Sequence, residues 1–96
     1  MGQQLFYKHL TPEEIKMHQF GKTNPEISSI MLADKSFNSK PSYLIITDSK
    51  VSRDELKGLK SLEKELGEGM EILTEEEFCG INDIALYGLF YARPAA

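Results

Sequence analysis

The chain has no tryptophan and only one cysteine in 96 residues. A lone Cys79 excludes an internal disulfide and is compatible with a reducing compartment. No apolar run approaches the roughly 20 residues that span a bilayer. Met1-Gly2-Gln3-Gln4-Leu5 lacks a basic region followed by an apolar core, so no signal peptide is expected either. Positive charge is scarce in the second half: residues 51–96 carry ten acids against five Lys or Arg, and the whole chain is −4. That balance excludes the broad positive field of a non-specific nucleic-acid binder. Internal repeats, low-complexity stretches and long linkers are absent as well. What is there is ordinary for a soluble globular domain: 41% hydrophobic and 27% charged residues. One domain over residues 1–96 is expected, in the cytoplasm, with a frayed tail at 93–96.

Local signals then order the chain. Leu5-Phe6-Tyr7 reads as a short first strand. Thr11-Pro12-Glu13-Glu14 is a capping box with proline at the first helical position, so a helix is predicted from there to Gly21, with Ile15 and Phe20 facing the core. Lys22-Thr23-Asn24-Pro25 is a turn cluster, and Ile27 to Leu32 reads as a second strand. Tyr43 to Thr47 is a continuous run of β-formers, as expected of a central strand covered on both faces. Ser52-Arg53-Asp54-Glu55 is a second capping box. Leu56, Leu59, Leu62 and Leu66 follow at helical spacing, and Gly67 and Gly69 end that helix. Met70 to Leu73 is a short strand. Thr74-Glu75-Glu76-Glu77 is a third capping box, and Phe78, Ile81, Ala85 and Leu89 make one apolar stripe of a last helix. The predicted fold is α/β in the order β-α-β-β-α-β-α. Its small, mostly parallel four-stranded sheet has helices on its faces, and Tyr43 to Leu73 forms one crossover.

Two stretches in this order resemble the BRCT domain, most closely the bacterial type on DNA ligases and on exonuclease or polymerase subunits. The first is Lys40-Pro41-Ser42-Tyr43-Leu44-Ile45-Ile46. The second runs from Leu62-Glu63-Lys64-Glu65-Leu66-Gly67 through Glu71-Ile72-Leu73-Thr74-Glu75-Glu76-Glu77-Phe78. The resemblance covers about 40 residues. It implies a non-catalytic protein-recognition module linked to DNA replication or repair, in the cytoplasm or at the nucleoid or nucleus. It also implies an alternative, binding of a phosphopeptide or a DNA 5′ phosphate. In such sites a hydroxyl after the first strand and a lysine on the second helix hold the phosphate. Thr11 is the hydroxyl nearest the first position, and Lys60 or Lys57 matches the second. The chain departs from the pattern in Tyr7-Lys8-His9-Leu10-Thr11, which has no glycine. It departs again in a first helix that offers Gly21 alone, and in residues 79–85, which contain no aromatic.

Other chemistry-bearing residues have plain structural readings. Thr11 caps a helix, and the lysines lie on a solvated face. His9 and His18 join no Cys or His cluster, so no metal and no cofactor are expected. Cys79 has no paired base to activate it. Glu75, Glu76 and Glu77 suit a helix N-terminus. No catalytic constellation can be assembled, so an enzyme is not expected. Phe37, and Tyr87, Leu89, Phe90 and Tyr91 near the C-terminus, have two readings: interface anchors, or cover for the domain's own sheet. A self-associating regulatory protein, as a homodimer, is a third functional alternative.

Overall fold

The computed structural model describes residues 11–34, 40–67 and 69–94. The expected first strand at Leu5-Phe6-Tyr7, and Phe37, lie outside the described residues. The order is α1 (Pro12–Thr23), β1 (Ile27–Asp34), β2 (Ser42–Thr47), a 3-10 turn (Arg53–Glu55), α2 (Leu59–Leu66), β3 (Met70–Thr74), α3 (Glu75–Cys79) and β4 (Ala85–Ala92). The sheet runs β3-β2-β1-β4.

The sheet is mixed, which corrects the mostly parallel expectation. β2 and β3 are parallel, with Tyr43 opposite Met70 and Thr47 opposite Thr74. β1 is antiparallel to β2 and to β4. The reason is connection length. Only residues 35–41 join β1 to β2, too few for the dozen or more that a parallel crossover needs. The β2-α2-β3 unit has that length and is parallel, as expected. β2 has β1 on one side and β3 on the other.

The alternation of β2 sends Ile45 to one face and Leu44 and Ile46 to the other, and all are buried. Ile45 joins Met17, Phe20, Ile30, Leu59 and Leu62 in a core beneath α1 and α2. Leu44 and Ile46 join Met31 and Ala33 in a second core, against which Leu73, Phe78 and Ile84 pack. The central strand is thus covered on both faces, as its unbroken apolar run implies. Ile15, placed in the core by its spacing, is 44% exposed; Met17 is buried instead.

Two helix boundaries differ from expectation. The box at Ser52 starts only the 3-10 turn, and α2 begins at Leu59. Asn24 explains this. Its Oδ1 accepts from the Lys57 N–H at 2.8 Å, and its Nδ2 donates to the Lys57 carbonyl at 3.0 Å. Those groups are withdrawn from any helix through position 57. Gly58 then turns the chain at φ 85°, a left-handed value that glycine adopts without a Cβ clash. Leu56 and Leu59 are buried all the same.

The last helix is also shorter than its stripe suggests. The third box forms, with the Glu77 N–H donating to Thr74 Oγ1 at 3.0 Å and the Thr74 N–H to Glu77 Oε1 at 2.9 Å. It supports five residues, Glu75–Cys79. Ala85 to Ala92 is a strand instead of a helix end. Leu-Tyr-Gly-Leu-Phe-Tyr is rich in aromatics that suit a strand, and Gly88 disfavours a helix. The open side of β1 supplies the ladder that decides between them.

Candidate interaction surface

Among the described residues β4 is an edge strand, and its eight residues, Ala85–Ala92, carry no charged side chain. Its register against β1 slips twice. Leu86 lies opposite Ala33 and Gly88 opposite Leu32, so Tyr87 is an extra residue. Leu89 lies opposite Met31 and Tyr91 opposite Ile30, so Phe90 is a second. Each extra residue is a bulge that bends the strand and re-aims its neighbours.

Cross-strand partners share a face. Leu86 and Leu89 therefore stand on the side of the second core, beside Ala33 and Met31. Both are 62% exposed, and Tyr87 is 58% exposed. Among the described residues no other group of neighbouring large apolar side chains is so open; Ile15 stands alone on α1. Leu86, Tyr87 and Leu89 thus leave an apolar strip open along one uncharged strand. Exposed apolar patches are candidates for contact surfaces.

The expected interface residues separate. Tyr91 is buried in the first core, where its ring meets His18 edge-on at 5.7 Å. Phe90 is half-buried and packs edge-on against Tyr43 at 5.5 Å. Of the expected residues that are described, Tyr87 and Leu89 stay open to solvent. Leu86 is not among the residues that the sequence singles out. A strand reading of Ala-Leu-Tyr-Gly-Leu-Phe-Tyr-Ala would draw attention to it; the helical stripe hides it.

The phosphate candidates are split by α1. Lys57 and Lys60 come together around Gly58, in a depression they share with Arg53 and Asp54. Asn24 ties that end to the C-terminus of α1. Thr11 caps the opposite end of the same 12-residue helix, about 18 Å away. Its hydroxyl is also engaged by Glu14. One phosphate cannot reach Thr11 and the lysine cluster together.

A further depression, of about 590 Å³, is lined by Ser42, Arg53, Glu63, Met70 and Ile72. Its polar groups serve the fold. Arg53 Nη1 donates to the Met70 carbonyl at 2.8 Å, the Met70 N–H donates to Glu63 Oε2 at 2.7 Å, and Arg53 and Glu63 pair directly. The two side chains thus clip the first residue of β3 as a neighbouring strand would. Arg53, first of all, holds the Glu63 carboxyl below its ordinary value of 4.5; burial opposes this, and the Met70 N–H assists. A carboxyl with a lowered folded pKa binds fewer protons than in the unfolded chain. Its contribution is whole above about pH 4.5 and is lost as pH falls through the folded pKa. Arg53→Gln is therefore expected to raise the pH midpoint of acid unfolding, followed by circular dichroism. An unchanged midpoint would mean that the clip does not stabilise β3.

Cys79 is exposed. His9 lies outside the described residues. Among the described residues no group of three His, Cys, Asp or Glu is placed to hold a metal, and no helix is long and apolar enough to cross a membrane. No buried side-chain nitrogen or oxygen among them lacks a hydrogen-bond partner, so none marks a ligand pocket by an unmet need. No family model, no curated protein and no solved structure matches the chain.

Proposed function

We propose that this chain is a non-catalytic recognition module that binds protein through β4. The observation that carries the reading is the open strip of Leu86, Tyr87 and Leu89 on a strand without charge. Binding buries such side chains with little desolvation penalty, since no ion must leave water. Edge strands also lend themselves to recognition, because backbone groups on their outer side accept a further strand. The two bulges shorten the ladder that can form there, so side chains carry more of the contact than backbone does.

A setting in DNA replication or repair comes from the BRCT resemblance of residues 40–78. The surface reading does not depend on it, since the mixed sheet supports β4 whatever the family. Phosphate-dependent binding finds less support, because its hydroxyl and its cations sit at opposite ends of α1.

A photo-cross-linking residue at position 87 tests the proposal, with the same residue at exposed Ser61 on α2 as the control. With the labelled chain at roughly 0.5 mM in cell extract, high enough to populate a weak complex, position 87 is expected to give a discrete adduct with a protein chain, and position 61 none. The adduct should fall at least about tenfold in a Leu86→Ser/Leu89→Ser background, as expected when the anchor residues of an interface are removed. Equal labelling from both positions, or none from position 87, would refute the reading.

A further inference from the structure

We infer that the partner of β4 is a second copy of this chain, paired antiparallel about a two-fold axis between Tyr87 and Gly88. The inference rests on the protein-binding reading of β4 and names its occupant. Three observations lead to it. The first is charge. The chain is −4, with its excess of acids in residues 51–96. Two copies meeting through most surfaces would set acids against acids. Ala85–Ala92 has no charge at all, so two copies meet there without repulsion. A basic partner, drawn by the acidic half, would find nothing on this strip to read.

The second is self-complementarity. In a two-fold interface the same patch is used twice, and residue i meets j as j meets i. With the axis between 87 and 88, Leu86 of one copy lies opposite Leu89 of the second copy, and the reverse. Both leucines stand on the same sheet face, so each contact sets leucine against leucine. Tyr87 then lies opposite Gly88 of the second copy, where the missing side chain leaves room for the ring. Aromatic residues set across from edge glycines are a recognised device for pinning register. A shift of one residue breaks both matches. The strand ends agree as well: antiparallel pairing brings Asp83 of one copy near Arg93 of the other, and both are exposed. Arg93 keeps its bonds to Asp48 in this arrangement.

The third is area. Each copy offers three side chains, each somewhat more than half exposed. That falls below the ~800 Å² per partner of a standard interface. The dimer therefore belongs to the small, reversible class and forms at roughly 100 μM, against the nanomolar range of large interfaces.

Sedimentation equilibrium of the full chain, from roughly 10 μM to roughly 1 mM, tests this. The weight-average mass is expected to rise about 1.6-fold, and Leu86→Asp is expected to abolish the rise. Register is read by disulfide trapping in a Cys79→Ser background. Leu86→Cys mixed with Leu89→Cys and oxidised with diamide is expected to give a mixed disulfide. Either variant alone should give little, since like positions lie about 10 Å apart along the strands, beyond disulfide reach. Both positions are exposed, so the variants should fold. A monomer at every concentration overturns the inference, as does cross-linking that ignores which variants are mixed. If position 87 still labels another protein, the recognition reading stands and only the second copy is excluded. A monomer that labels nothing removes both readings.

Discussion

Replacing Asn24 with aspartate is expected to destabilise the protein by about 3–5 kcal/mol at pH 8, more than replacement with alanine. Asn24 is 1% exposed and joins two elements that are 33 residues apart in sequence. Its Nδ2 donates to the carbonyls of Phe20 and Lys57, both at 3.0 Å, while its Oδ1 accepts from the Lys57 N–H. Only this amide orientation satisfies all three partners. Alanine leaves the Lys57 N–H and carbonyl without their partner, at a cost of about 2–4 kcal/mol. Aspartate keeps the acceptor but turns an oxygen toward two carbonyl oxygens, in a site with almost no water. The ionised form is disfavoured there, so the folded pKa of the introduced carboxyl rises above its unfolded value. The folded state then binds more protons than the unfolded state, and stability falls as pH increases. The gap between the aspartate variant and the parent should therefore narrow from pH 8 to pH 5 in urea unfolding, while that of the alanine variant stays constant. If aspartate proves no worse than alanine at pH 8, the side chain does not bridge α1 and Lys57 as described.

The second large effect sits three residues earlier. Gly21 lies inside α1, where alanine would ordinarily be favoured by about 1 kcal/mol. A Cβ added there would come within 2.4 Å of Tyr91 Cε2 and 2.5 Å of Cδ2. The ring cannot easily give way, because it is buried and meets His18 edge-on. Overpacking of this kind costs about 1–3 kcal/mol or more. The clash outweighs the helix propensity, and Gly21→Ala is expected to lower stability by about 1–2 kcal/mol net. The sign should reverse when the ring is absent. In a Tyr91→Ala background, Gly21→Ala is expected to be neutral or stabilising, a coupling that a double-mutant cycle measures directly. A stabilising effect of Gly21→Ala alone would show that α1 and β4 do not approach so closely.

This contact also explains why Gly21 is not a helix end. A glycine after a capped helix reads locally as a terminator, which places the end of α1 at residue 21. The helix continues to Thr23 instead, and the glycine serves the approach of β4. Nothing in residues 11–24 signals an aromatic ring that arrives 70 residues later. The candidate surface is only partly legible for the same reason. Tyr87 stands out by its character, but Phe90 and Tyr91 have the same character and pack inward. Two bulges decide which aromatic turns which way, and bulges follow from the fit of β4 to β1. Leu86 stays invisible as long as residues 78–89 read as a helix.

The sequence by itself determined the β2-α2-β3 unit, its parallel pairing and the burial of β2 on both faces. Those follow from an unbroken run of β-formers, leucines at helical spacing and a connection long enough to cross over. It also determined the start of α1 and of α3, because a capping box needs only residues three apart. Tertiary structure decided three things. Asn24 claimed the backbone of Lys57 and moved the start of α2 to Leu59. The short link from β1 to β2 allowed only an antiparallel neighbour. The open side of β1 then took residues 85–92 as a strand. In each case a local preference of a few tenths to about 1 kcal/mol met a ladder or a buried hydrogen-bond network that is several times stronger, and the stronger interaction prevailed. The exposed strip on β4 is the product of the last of these decisions.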